Sequence, residues 1–219
     1  MSTITSAKAP AKTPGKAPAK TPAKAPAGPA SALQVLKDDH RNVEALFVQF
    51  EATGPKANKK REMLVAKIIE ALSIHASIEE TTFYPELRKR ISDSEPNVLE
   101  ALEEHHVVKW ILSELESMSA DDERYEAKVT VLIEIVRHHV KEEEKEMFPM
   151  VRNALTRTDL AEIGELLQIA RPTASKRPHP RSPDAPPANL VAAAVTGPMD
   201  AARAAGEAAV RSVRQLIER

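Results

Sequence analysis

The 219-residue chain contains no cysteine, which excludes disulfides, thiolate zinc sites and cysteine nucleophiles together. No apolar run approaches the ~18 residues that a membrane span needs, and the first residues, MSTITSAKAP, lack the hydrophobic stretch of a secretion signal. A soluble, cytoplasmic protein with no membrane partner is the expectation. Aromatic residues make up only 3% of the chain, and none is interleaved with the lysines near the N-terminus. That region therefore lacks the rings on which nucleic-acid bases stack. Net charge is nearly absent too, at −1, but the balance is uneven along the chain. Residues 1–30 hold five lysines and no acid, residues 171–219 hold eight basic and four acidic groups, and residues 31–170 hold 18 basic and 28 acidic groups. An acidic centre argues against nucleic-acid binding by the central part.

Proline, by contrast, is plentiful, and most of the 17 prolines lie in residues 1–30 and 171–189. In the first stretch Lys8, Lys12, Lys16, Lys20 and Lys24 alternate with Pro10, Pro14, Pro18, Pro22 and Pro26. A proline every fourth residue removes backbone donors and clashes with the preceding turn, so no helix persists there. With no large apolar side chain to bury, residues 1–30 are expected to form a disordered lysine/alanine/proline arm. It is either a solvated spacer or a source of weak, salt-sensitive attraction for nucleic acid or another polyanion. Residues 171–189 read as a proline-rich linker. Residues 190–219 are alanine-rich and helix-forming, with a narrow stripe of Ala202, Ala209, Val213 and Leu216 that is either free or docked on a partner.

Residues 31–170 carry the helical period. Leu33, Leu36, His40, Val43 and Phe47 fall on one face, as do Leu64, Ile68, Leu72, His75 and Glu79. Val98, Leu102, His105, Val108 and Leu112 make a third stripe, and Leu132, Val136, His139 and Glu143 a fourth. Turn signals at Thr53-Gly54-Pro55, Ser92–Pro96 and Ser119–Asp122 separate them. Short connections imply antiparallel neighbours. The predicted fold class is all-α: an up-down-up-down four-helix bundle with a short fifth helix at Asp159–Ile169, flanked by disordered tails.

The segment IHASIEETTFYP recurs 64 residues later as HHVKEEEKEMFP. His75 is followed at i+4 by Glu79, and His139 at i+4 by Glu143; each copy ends six residues later at Pro85 or Pro149. A histidine precedes each copy by about 35 residues, His40 and His105. The i,i+4 spacing stacks each imidazole over its carboxylate on one helix face, with Cβ atoms ~5–6 Å apart. Glutamate is almost never buried unpaired, and two buried carboxylates among four imidazoles require a cation to offset their desolvation. The metal-ligand set predicted is His40, His75, Glu79, His105, His139 and Glu143, with no catalytic residue assigned. His106, whose face carries Glu103, Lys109 and Ser113, and His138, beside Glu134 and Glu142, point outward. Glu80, Glu142 and Glu144 read as surface charges, or as groups that hold an imidazole in place. Tyr84 and Tyr125 are the acid–base groups to watch.

The doubled pattern resembles the hemerythrin family, in particular its HHE cation-binding branch: a histidine on helix one, HxxxE on helix two, a histidine on helix three and HxxxE on helix four. The Phe83-Tyr84-Pro85 and Met147-Phe148-Pro149 endings match that family as well. The resemblance implies a site for two non-heme iron ions, ahead of zinc or manganese, held by four histidines and two glutamates. It also implies O₂ or NO as a diatomic ligand, and a role in sensing, buffering or stress protection. The alternatives are a di-iron enzyme acting on peroxide or NO, and a structural metal module tethered by basic tails. Oxygen carriers of the family have a further histidine where this chain has Lys109, and an aspartate in place of Glu143, so oxygen carriage is not implied.

Overall fold

The computed structural model describes residues 30–183 and, beyond them, 192, 194–200, 202, 203, 205 and 206. The expected N-terminal arm (but for Ala30) and most of the C-terminal segment lie outside the described residues.

Four long helices form the bundle: α1 (Ala32–Glu51), α2 (Asn58–Ile78), α4 (Glu95–Leu115) and α5 (Tyr125–Glu142). Ser31 caps α1, its hydroxyl accepting the Gln34 amide, which satisfies one of the free donors of the first turn. Neither α2 nor α5 stops at its metal-site glutamate. Each passes through a five-residue π turn, Glu79–Phe83 or Glu143–Met147, into a short helix, α3 (Tyr84–Arg90) or α6 (Phe148–Ala154). The cause lies in the proline that opens each short helix: Pro85 and Pro149 have no N–H and would strike the preceding turn of an ordinary α-helix. The wider turn absorbs this, with Tyr84 N–H donating to the Glu79 carbonyl and Phe148 N–H to the Glu143 carbonyl.

The fifth helix, α7 (Arg157–Ala170), starts at a capping box in which the Thr156 and Asp159 side chains each accept the other's backbone N–H. It packs on α1 and on the first π turn. A Cβ at Gly164 would come within 2.1 Å of the Ala30 carbonyl, so only glycine lets the chain cross α7 there.

The core is split in two. One apolar cluster gathers the start of α1, both short helices, the start of α4 and α7 around Leu36, Phe83, Leu87, Phe148 and Ile163. The other gathers the remainder of the four long helices around Phe47, Ile68, Leu112 and Leu132. On every long helix the histidine falls between them: His40 between Leu36 and Val43, His75 between Leu72 and Ile78, His105 between Leu102 and Val108, and His139 between Val136 and Met147. The site is thus a polar layer closed above and below by hydrocarbon.

Residues 171–183 lie against the bundle. Arg171 pairs with Asp39 at 2.6 Å, Ser175 donates to Asp200 at 2.6 Å, and Arg177 reaches Glu116 at 3.2 Å. Gly197 crosses Thr173 so closely that a Cβ would come within 2.1 Å of its carbonyl.

Candidate metal centre

All six side chains singled out by the spacing come together in the polar layer, and each is at most 5% exposed. They form two groups of potential ligands. His40, His75, Glu79 and Glu143 offer atoms within 4.8 Å of one another, as do Glu79, His105 and His139, so Glu79 belongs to both. His40 Nε2 lies 3.2 Å from Glu143 Oε2, and His75 Nε2 lies 3.1 Å from Glu79 Oε2. His105 Nε2 is 3.4 Å from Glu79 Oε2, and His139 Nε2 is 3.7 Å from Glu143 Oε2. Each carboxylate therefore touches an imidazole of both repeats.

The outer nitrogen of every ring faces a carboxylate. Glu144 accepts from His40 Nδ1 at 2.9 Å, Glu80 from His105 Nδ1 at 3.0 Å and Glu104 from His139 Nδ1 at 2.7 Å. Asp39 stands 3.5 Å from His75 Nδ1, an electrostatic contact too long for a well-formed hydrogen bond, so the three shorter pairs define the pattern. Such contacts fix which nitrogen carries the proton and turn the other inward as a lone pair. In neutral rings so held, the Nε2 atoms of His105 and His139 meet lone pair to lone pair at 3.2 Å. Both oxygens of Glu79, Oε2 of Glu143 and Nε2 of His40 and His75 are buried without a well-formed hydrogen bond. Buried polar atoms in that state are costly, and a cation among them would satisfy all of them at once.

The electrostatics agree. Burial, reinforced by the neighbouring Glu143 charge, raises Glu79 well above the usual carboxylate range. Glu143 moves the other way: burial is outweighed by His139, His40 and His75, which hold its carboxyl below that range. Burial pushes His75 down to about 4, so its ring is neutral at neutral pH. Two adjacent carboxylates cannot both keep their charge in this layer without a counter-cation.

Several residues have roles that spacing could not assign. Asp39 and Glu104 hold imidazoles without having been singled out. Glu80 and Glu144 take the second of the two roles expected of them, and Glu142 instead meets the exposed His138 at 3.1 Å. Lys109, placed on an outward face by the periodicity, is buried at 8% exposure and donates to Glu80 at 2.8 Å. A buried carboxylate that must also serve His105 needs that counter-charge, which draws the lysine inward. Tyr84 is fully buried and donates to Glu143 at 3.1 Å, with its oxygen 3.5 Å from His105 Nε2. Tyr125 packs in the other apolar cluster, away from the site. His106 is half-buried and accepts from Trp110 Nε1.

Residues 31–151 match the hemerythrin HHE cation binding domain, and the chain belongs to that family. A crystal structure of a hemerythrin HHE cation binding domain-containing protein from Mycobacterium kansasii superposes with a TM-score of 0.57 at 26% identity, covering 65% of this chain and 85% of that one. An uncharacterized hemerythrin-like protein of Schizosaccharomyces pombe is 23% identical over 75% of this chain and 81% of its own length. A DNA nickase of Nostoc sp. is 27% identical over 56% of this chain, a stretch that spans only 34% of the nickase. Among the described residues no helix is long and apolar enough to cross a membrane.

Proposed function

We propose that the chain binds two iron ions, which His40, His75, Glu143, His105, His139 and Glu79 would hold, Glu79 being the residue that belongs to both ligand groups. The observation that carries this reading is that Glu79 belongs to two ligand groups, in which the Nδ1 atoms of His40, His105 and His139 are held by carboxylates and the Nε2 atoms of His40 and His75 are buried without a hydrogen bond. Imidazole and carboxylate donors suit iron, and six side chains leave two octahedral ions incompletely filled. Held by two carboxylates and four imidazoles, two ferrous ions would keep a net positive charge. When bound, the irons would supply reversible ligand binding and electron transfer. The chain's own residues orient the imidazoles, exclude water with the two apolar clusters, and hold the Tyr84 proton toward Glu143.

O₂ or NO is the ligand class we favour, in sensing, buffering or stress protection. A cleft of about 420 Å³ between α1 and α5 reaches His40; Val43, Phe47, Val136 and Val140 give it an apolar floor that suits an uncharged diatomic molecule, and charged side chains such as Arg41, Glu44 and Lys141 form its rim. A second reading, turnover of peroxide or NO, is favoured by the Tyr84 hydroxyl beside Glu143. Weak, non-specific attraction of nucleic acid by the lysines of residues 1–30 is a further proposal, with which the likeness to a DNA nickase, over 34% of that protein's length, is compatible.

The test is anaerobic purification, metal analysis and ultraviolet–visible spectra before and after air or NO. Near two irons per chain, with near-ultraviolet bands that change on gas addition and vanish in Glu79→Ala, is the expected result. Zinc, or no metal after ferrous reconstitution, overturns the iron reading. Tyr84→Phe separates the two functions: it lowers peroxide consumption without lowering iron content if the site is an enzyme.

A further inference from the structure

The four carboxylates that hold the imidazoles are not equally neutralised. Asp39 pairs with Arg171 at 2.6 Å, Glu80 with Lys109 at 2.8 Å and Glu144 with Lys37 at 3.5 Å. Glu104 has no lysine or arginine partner among the described residues. Around it stand His138 and Glu142, and these three offer ligand atoms within 4.8 Å of one another. Two of the three, Glu104 and Glu142, line a cavity of about 30 Å³, the volume of roughly one water molecule or ion. Glu100, Glu104, Glu142 and Glu146 line its outer part, His139 and Glu143 its buried end, and no lysine or arginine among the described residues lines it. Oε2 of Glu143 is one of the buried atoms left without a hydrogen bond.

From these observations we propose that Glu104, His138 and Glu142 form an outer capture site for divalent cations, from which metal passes to His139 and Glu143. The proposal rests on the reading of the inner layer as a metal centre. A concave mouth lined by one sign of charge concentrates counter-ions and raises their rate of arrival. One exposed imidazole and two half-buried carboxylates make a weak site suited to transfer rather than retention. Glu104 is the hinge of the arrangement: one oxygen holds His139 Nδ1, while the carboxylate as a whole also faces the cavity. The cleft beside His40 lies on the opposite side of α5, and there Glu44 and Glu144 are outnumbered by Arg41, Arg137, Lys141 and Lys145. Cation and uncharged ligand would thus approach by different routes.

The experiment uses cobalt(II) and the metal-free full-length protein, comparing the wild type with His138→Ala/Glu142→Gln, neither residue being an inner ligand. Equilibrium titration of the wild type is expected to show two tight equivalents and a third, weaker one. The variant should keep the two and lose the third. In stopped-flow absorbance, filling of the tight sites should slow about tenfold in the variant, and the wild-type rate should fall more steeply with ionic strength. Two tight equivalents filling at the same rate in both proteins, with no third equivalent in either, overturns the capture site and leaves the inner centre standing. No tight cobalt in the wild type overturns both.

Discussion

The two repeats place equivalent residues in equivalent roles, yet surround them differently. In each, the residue before the first histidine, Asp39 or Glu104, holds the second histidine of its own repeat, and the residue after the glutamate, Glu80 or Glu144, holds the first histidine of the other. The counter-charges break this twofold pattern. Lys109 lies buried on Glu80, whereas Lys37 and Glu144 are 29% and 32% exposed at the side chain. Arg171, from beyond the bundle helices, neutralises Asp39, while Glu104 faces an acidic cavity. Ligand geometry is thus set by the repeat, and the routes and electrostatics around it by residues outside the repeat.

The largest effect should come from the residue common to both ligand groups. Glu79→Ala is expected to abolish binding of both metals, as measured by metal content after ferrous reconstitution, and with it the rise in melting temperature that metal gives the wild type. Binding of one full equivalent would show that the two groups act independently.

Next are the two lysines, which test whether burial is the difference that matters. Lys109→Met removes a buried ammonium from the Glu80 carboxylate and should cost several-fold more stability in denaturant unfolding than its exposed counterpart, about 2–3 kcal/mol. Lys37→Met, at its half-exposed counterpart, should cost about 0–1 kcal/mol. Equal losses would erase the distinction between the two repeats.

Smaller changes are expected from the groups that orient the imidazoles. Asp39→Asn and Glu104→Gln should each weaken metal binding about 10–100-fold, measured by competition with a chelator, with little change in the metal-free protein's stability. Arg171→Ala, whose side chain is 36% exposed, is the mildest: we expect a loss of under about 1 kcal/mol.

The six-residue layer was legible in the sequence because its signal is doubled. One HxxxE on a helix says little, but two in register, each preceded by a histidine on an apolar stripe, fix which faces turn inward. The residues that hold the imidazoles were hard to read for a geometric reason. A neighbour at i±1 on a helix is turned by about 100° and meets the adjacent helix, so its partner depends on how helices are arranged. Asp39 and Glu104 therefore carry no mark in the spacing pattern. Lys109 misled the periodicity because a long aliphatic stem lets an ammonium fold inward from a boundary position. The π turns had a trace in the sequence, the proline six residues after each glutamate, which an ordinary helix cannot accommodate without strain.

One consequence of the way the imidazoles are held concerns assembly. His75 depends on α1, His139 on α4, His105 on the turn after α2 and His40 on the turn after α5. Every helix supplies the partner for a histidine on another, so the ring of contacts has no free end. A half-formed bundle offers no correctly oriented set, and the centre is created only by the last helix to dock. Metal uptake would then act as a proofreading step, rewarding complete closure and leaving misassembled chains without their ions.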